Sequence, residues 1–400
     1  MPTAPGPVSS TERAVAPDLA RGAMLLFIAL ANSAGYAAAT TLANAGIQAL
    51  ERGVNLVLLT FVHARAYPVF AIMFGYSLVQ LARRQESAGV SRADVRFLLL
   101  RRNVWLIVFG FFHAALLYFA DFLAAYGIIG IVATFLLLYR ERVQRVVLWL
   151  WGVSLLELIG LAGFLAYRWT NSTVSDAPMP SNASASSVAT DYIGSMVTRL
   201  NEWPMHTATV LPAIFIVCLG IWAANRRLLE DLEQHRRLLR TVALVCLPIA
   251  FVGGLPFALA EAKIVQVDPD TFFAMNLLHK VSGMFGGPGY VAAIGLIAAG
   301  LRGGSDGGGR VIALGRRSLS GYLFQSFAWL MLLAPFTLYL GGKFGAPLTT
   351  SAVVAITVWT FSVYVAAWME RRAYRGPAET LLRRLTYRTP IPSSALEGRL

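Results

Sequence analysis

The side chains able to do acid–base or anion-binding chemistry are few, and they fall in three clusters inside apolar sequence. The first is Asp18-Leu19-Ala20-Arg21-Gly22, with Asn32 eleven residues beyond Arg21. Asp18 and Arg21 stand three apart, the spacing at which helical side chains share a face and pair. The second is His63-Ala64-Arg65, followed by Tyr67, Pro68 and the stretch Phe70 to Gly75. Arg65 lies too deep in its apolar run to be a loop charge, so it is expected to line a water-filled cavity or to meet a carboxylate. The third is Gly110-Phe111-Phe112-His113 with Asp121, Tyr126 and Gly127. Imidazole is the side chain best poised for proton transfer near neutral pH. His113 is therefore the leading base candidate, with His63 second. Eight helical residues would set His113 and Asp121 roughly 12 Å apart, so a water or substrate group is expected between them, or Asp121 reaches Arg65 across the bundle.

Other polar residues rank lower. Glu157 and Gln325 are expected to bond between helices. His206, Glu261, Lys263, His279 and Lys280 are expected to form an outer mouth. Cys218 and Cys246 lie in apolar runs and read as two small buried thiols. No zinc-type spacing, phosphate loop or nucleophile elbow is present, and no metal is expected; the glycines at 303–304 and 307–309 lack the Lys-Ser/Thr that phosphate cradling needs. Internal repeats are not visible.

The elements that must position these groups follow from composition. Of 400 residues, 56% are apolar and only 14% charged, far from the quarter charged of a soluble domain. The chain therefore reads as an all-α, polytopic membrane protein, with the lipid bilayer as its first partner. About twenty apolar residues cross a bilayer core, and ten segments meet that rule: Ala23–Thr40, Val54–Leu81, Asn103–Ala120, Phe122–Tyr139, Val146–Tyr167, Met205–Ala224, Thr241–Ala260, Val281–Leu301, Ser318–Leu340 and Pro347–Met369. The expected organisation is a disordered lead (1–17), helices one to five (18–167), an outer loop (168–204) with sequons at Asn171 and Asn182, helices six to ten (205–369) and a tail (370–400).

The formal net charge of +13 is explained by topology. With both termini cytoplasmic, 27 of the 34 basic residues fall on the inner side, as the positive-inside rule requires. That removes the argument for a nucleic-acid partner and points to the plasma membrane.

Five motifs then carry a resemblance. They are Asp18 to Gly22, Arg65 with Phe70 to Gly75, Gly110 to His113 with Asp121 and Tyr126-Gly127, Leu314 to Ser326, and Gly376 to Glu379 with Arg384 to Tyr387. Together they resemble the YeiB-like family of bacterial membrane proteins, which is grouped with transmembrane acyltransferases. The resemblance implies transfer of an acyl group from cytoplasmic acyl-CoA to an acceptor, often a sugar. It implies that Arg21, Arg316 and Arg317 hold the anionic end of the donor, with Asp18, Asn32, Arg65, Tyr322 and Gln325 also at the binding site. His113 or His63 would deprotonate the acceptor, with Asp121 assisting. The acyltransferase-3 pattern has a histidine where this chain has Asn32, which moves the base role elsewhere.

Two functions are thus expected to compete. One is a membrane-embedded acyltransferase that uses acyl-CoA as donor, holds no covalent cofactor and takes a small hydroxyl or amine acceptor; a homo-oligomer is compatible with it. The other is a transporter of a small anionic or sugar-linked molecule, for which Gly283, Gly286, Gly287, Pro288 and Gly289 would break helix eight into half-helices.

Overall fold

The structure is a computed structural model that describes residues 15–39, 45–171, 184–301 and 306–387. Among these residues there is helix and no strand. In chain order the helices are α1 (Val15–Ser33), α2 (Ala45–Phe61), α3 (Ala66–Ser87), α4 (Arg92–Leu116), α5 (Leu123–Leu136), α6 (Glu141–Asn171), α7 (Ala185–Val188), α8 (Tyr192–Val210) and α9 (Ile214–Asn225). They continue as α10 (Arg236–Glu261), α11 (Pro269–Leu301), α12 (Asp306–Gly315), α13 (Ser318–Leu333), α14 (Leu340–Phe344), α15 (Pro347–Arg371) and α16 (Pro377–Thr386).

Seven helical stretches are long and apolar enough to cross a membrane, and α5 and α13 are shorter apolar helices. Large apolar side chains also cover the outside of the bundle, with Phe97, Trp149, Leu156 and Val252 among the most exposed. That surface suits hydrocarbon rather than water.

Between helices in lipid the hydrophobic drive is weak, so close packing of small residues has to supply the contact. Two crossings do so reciprocally. On α3 and α9, a Cβ on Gly75 would stand 2.2 Å from the Val217 carbonyl oxygen, and one on Gly220 would stand 2.1 Å from that of Ile72. On α1 and α12, a Cβ on Gly22 would meet the Val311 oxygen at 2.1 Å, and one on Gly315 the Asp18 oxygen at 1.7 Å. In each pair the backbones touch because both residues lack a side chain. Met24, Val69, Met73, Tyr76, Ile129, Ile216 and Ile221 fill the largest core around the first crossing. A second core joins α1 to α13 and α15 through Leu25, Tyr322, Trp329 and Ala355.

Several expectations need correction. Helix α1 starts at Val15, with Ala16, Pro17 and Asp18 buried, so residues 15–17 are not part of a lead; 1–14 lie outside the described residues. The segment Val54–Leu81 is not one helix. It breaks at Val62–Arg65, where Ala64 has φ 62°. Helix α11 runs unbroken from Pro269 to Leu301, so its glycines do not make half-helices. Instead a Cβ on Gly283 would stand 2.6 Å from the Ala64 oxygen, and one on Gly287 2.7 Å from Pro68; these glycines seat the α2–α3 elbow. The outer loop carries α7 and the start of α8, and α6 extends to Asn171. Asn182 and the glycines at 303–304 lie outside the described residues. The tail contains α16, and Glu379 accepts hydrogen bonds from Leu319 N (2.8 Å) and Ser320 N (3.1 Å), capping the start of α13. Residues 388–400 lie outside the described residues.

Candidate functional site

Helix α4 has Gly110 and His113 three residues apart, hence on one face. After Leu116 the helix stops, and a turn brings the chain back so that Asp121 lies against this face. A Cβ on Gly110 would stand 2.3 Å from Asp121 Oδ2 and 2.4 Å from Ala124 N. Glycine is thus what admits the carboxylate. His113 Nδ1 sits 3.0 Å from Asp121 Oδ1, with both side chains fully buried. The contact is electrostatic in character, since its angle falls short of a good hydrogen bond. The separation of roughly 12 Å along a straight helix is therefore corrected: the helix ends before Asp121, and the pair touches directly.

Asp121 does not reach Arg65. Its Oδ2 accepts from Ala124 N at 2.8 Å, in the first turn of α5. On the other side of the imidazole, His113 Nε2 is 2.8 Å from Ser326 Oγ on α13. Ser326, His113 and Asp121 form a continuous buried line. The turn that places Asp121 is clasped by α8: Arg199 donates to Ala115 O and Tyr192 to Leu116 O, while His206 packs edge-on against Phe119 and Phe122.

Beside this line a cavity of about 610 Å³ runs between α1, α3, α4, α13 and α16. One end is lined by Arg21, Arg84, Arg102, Arg316, Arg317, Arg375 and Arg383, against the carboxylates Asp18, Glu370 and Glu379. The other end is walled by Phe122, Leu123, Tyr126 and Tyr322. The Tyr322 ring lies 4.7 Å from that of His113, centre to centre, so one aromatic side chain separates cavity from imidazole. The Tyr322 hydroxyl is buried beside the Phe122 backbone without a well-formed hydrogen bond.

The arginines at the mouth are not equivalent. Arg21 pairs with Asp18 at 2.8 Å. Arg316 reaches Asp18 Oδ2 at 3.5 Å and also binds Glu370. Arg317 is buried and spent on Glu370, Tyr374 O and Ala313 O. These three, the expected anion ligands, largely build the mouth. Arg102 has a buried Nη1 without a partner, and its guanidinium lies over Phe74. It is the better-placed donor, and sequence reasoning missed it.

Arg65 belongs elsewhere. It is fully buried at the start of α3, where Nη1 donates to His63 O (2.7 Å) and contacts His279 Nδ1 (2.9 Å), and Nη2 donates to Ala250 O (2.6 Å). Among the described residues no carboxylate pairs with it, and it does not line the 610 Å³ cavity. A Cβ on Gly254 would stand 1.7 Å from Nη2, so α10 leaves a slot for the guanidinium. His63 contributes its carbonyl here and does not join His113. His279 sits here and His206 near Asp121, so the expected outer mouth does not assemble. Asn32 and Gln325 are buried, with side-chain nitrogens lacking a partner. Glu157 is exposed on α6 rather than bonded between helices.

Residues 223–389 match a family model described as "Protein of unknown function (DUF418)". Over 353 residues, 83% of this chain and 81% of the relative, the chain is 25% identical to the uncharacterized protein YxaH of Bacillus subtilis (strain 168). Over 107 residues, 27% of this chain and 29% of the relative, it is 33% identical to an uncharacterized 39.9 kDa protein from the amylase 3' region of Bacillus acidopullulyticus. The stretch matched by the family model holds Ser326, Tyr322, His279 and the 316–317 arginines, whereas His113, Asp121 and Arg65 precede it. Each buried cluster therefore joins a residue of the matched stretch to one outside it.

Proposed function

We propose that this protein is a plasma-membrane acyltransferase of the YeiB-like kind, moving an acyl group from acyl-CoA to a hydroxyl or amine acceptor such as a sugar or cell-envelope component. The observation that carries the reading is the cavity, which begins among arginines and ends at Tyr322 beside the His113–Asp121 pair. Guanidinium groups are the natural ligands of a phosphate-bearing donor, and the apolar inner wall suits a thioester and its acyl chain. With both termini in the cytoplasm, the arginine end faces the acyl-CoA pool. His113 acts as general base and Asp121 stabilises the imidazolium that forms. The competing transporter reading loses the support of a broken helix, because α11 is continuous.

The test is radiolabelled acetyl-CoA supplied to inside-out vesicles carrying wild type or His113→Ala. Label is expected in the lipid or glycan fraction with wild type, and at least about a hundredfold less with the variant, in line with loss of a general base. Equal transfer by the variant, or no binding of CoA, refutes the proposal.

A further inference from the structure

Ser326 lies in the interior of α13, where a serine in an apolar helix ordinarily bonds back to the carbonyl four residues earlier. That bond exists, to Tyr322 O at 3.3 Å, but the shorter contact is to His113 Nε2 at 2.8 Å. A serine holding a histidine for packing alone would need no ion behind it. Here a fully buried carboxylate stands behind the imidazole, and a charge kept at that depth is costly. Hydroxyl, imidazole and carboxylate in that order are the parts of an activated nucleophile.

The same helix face offers more. Tyr322, Gln325, Ser326 and Trp329 recur at helical spacing and are all buried. Both amide atoms of Gln325 and the indole nitrogen of Trp329 are buried without a partner. Buried donors are normally satisfied. Donors left open beside a nucleophile can receive the oxygen of a reacting carbonyl.

We infer that Ser326 carries the acyl group as a covalent ester between donor and acceptor. The inference rests on the acyl-transfer reading above. With Nδ1–H toward Asp121, His113 Nε2 takes the Ser326 hydroxyl proton as Oγ attacks the thioester carbonyl carbon. The carbon–sulfur bond breaks, and the CoA thiolate leaves with the proton held on Nε2. The thiolate then takes that proton and departs as the thiol, which leaves Nε2 free. In the second half an acceptor hydroxyl or amine loses its proton to Nε2 and attacks the ester carbon; the carbon–Oγ bond breaks and Oγ regains the proton. No oxidant or reductant is needed. Because Tyr322 walls Ser326 off from the cavity, its ring swings aside for the thioester to enter.

Purified protein in lipid nanodiscs is incubated with radiolabelled acetyl-CoA without acceptor, and label is followed on the denatured chain. In parallel, transfer to the lipid and glycan fraction is measured in vesicles. Wild type is expected to take one acetyl group on the peptide containing Ser326, and Ser326→Ala none there. Ser326→Cys is expected to take it as a thioester that neutral hydroxylamine releases, whereas the wild-type ester resists; a merely structural serine would not produce that change. Transfer to vesicle acceptors with no label at Ser326, or with full activity in Ser326→Ala, overturns the serine assignment and leaves acyl transfer standing. No label on the protein and none on any acceptor overturns both.

Discussion

Replacing Gly315 by alanine tests whether the mouth of the cavity depends on backbone contact between α1 and α12. The added methyl would stand 1.7 Å from the Asp18 carbonyl oxygen, 2.7 Å from its carbon and 3.0 Å from Gly22 N. A comfortable carbon–oxygen contact is roughly 3.3 Å, so the helices must part by about 1.6 Å. All three neighbours are backbone, so no side chain can turn away. Overpacking of this kind costs about 3 kcal/mol, the top of its usual range. The gain in helix propensity from Gly to Ala returns at most about 1 kcal/mol. The net loss is therefore about 2 kcal/mol. Arg316 follows immediately in sequence, and its 3.5 Å contact with Asp18 would open by a similar distance, loosening the anion-binding end. Gly309, in the same helix, has nothing within 4 Å of the point a methyl group would occupy, so Gly309→Ala keeps only the propensity gain. The assay is thermal unfolding in detergent, read as loss of monodisperse protein on size exclusion, with CoA binding measured on the survivors. The expected order is Gly309→Ala at or above wild type and Gly315→Ala well below, with weakened CoA binding. A Gly315→Ala protein as stable as Gly309→Ala would refute the crossing as described.

Asp121→Asn keeps an oxygen for Ala124 N but removes the charge behind His113. Acetylation of the protein by labelled acetyl-CoA is expected to slow by roughly 10⁴, the effect of neutralising a carboxylate behind a catalytic imidazole, with little change in thermal stability. Outside the membrane-spanning segments, a hydrogen bond from Arg168 near the end of α6, followed by one from Thr271, holds the Asp268 carboxyl well below its ordinary range. A depressed carboxylate stabilises the fold above its unfolded value of about 3.9 and loses that contribution as pH falls through the folded value. Protection of the amides at the start of α11 against hydrogen exchange, taken relative to the intrinsic rate at each pH, should therefore fall below about pH 4 in wild type, and Asp268→Asn should show the lower protection at neutral pH too.

The all-helical character with several membrane-length helices is legible in the sequence because apolar length is a physical requirement of a bilayer. The charged clusters around Asp18, Arg65 and His113 stand out for the same reason: ionisable residues are scarce there. What the sequence conceals is where a helix stops. Asp121 separates two expected apolar segments, but nothing in Leu116 to Ala120 shows that α4 already stops at Leu116, and that early turn converts a distant His–Asp spacing into contact. Gly110, three residues before His113, is the available signal, since a missing side chain beside a base marks close approach. Similarly, the glycines at 283, 286 and 287 read as helix breakers because flexibility and close packing have the same sequence signature. Their role as a seat for the Val62–Arg65 elbow depends on a partner segment far away in the chain. Arg102 and Ser326 stay hidden because each matters only through what another helix brings to it.

The seat of Arg65 also constrains how the chain is made. During synthesis the α2–α3 elbow emerges long before α10 and α11, which supply the Ala250 carbonyl and the His279 ring that receive the guanidinium. Until then, a cation with no carboxylate beside it has no resting place in hydrocarbon. The elbow must wait at the water interface or inside the insertion machinery, and it sinks only when the later pair of helices arrives. The N-terminal third is thus not a unit that inserts and sets by itself. Its final depth is decided by helices not yet translated, and a chain truncated before α10 should leave Arg65 open to aqueous labelling.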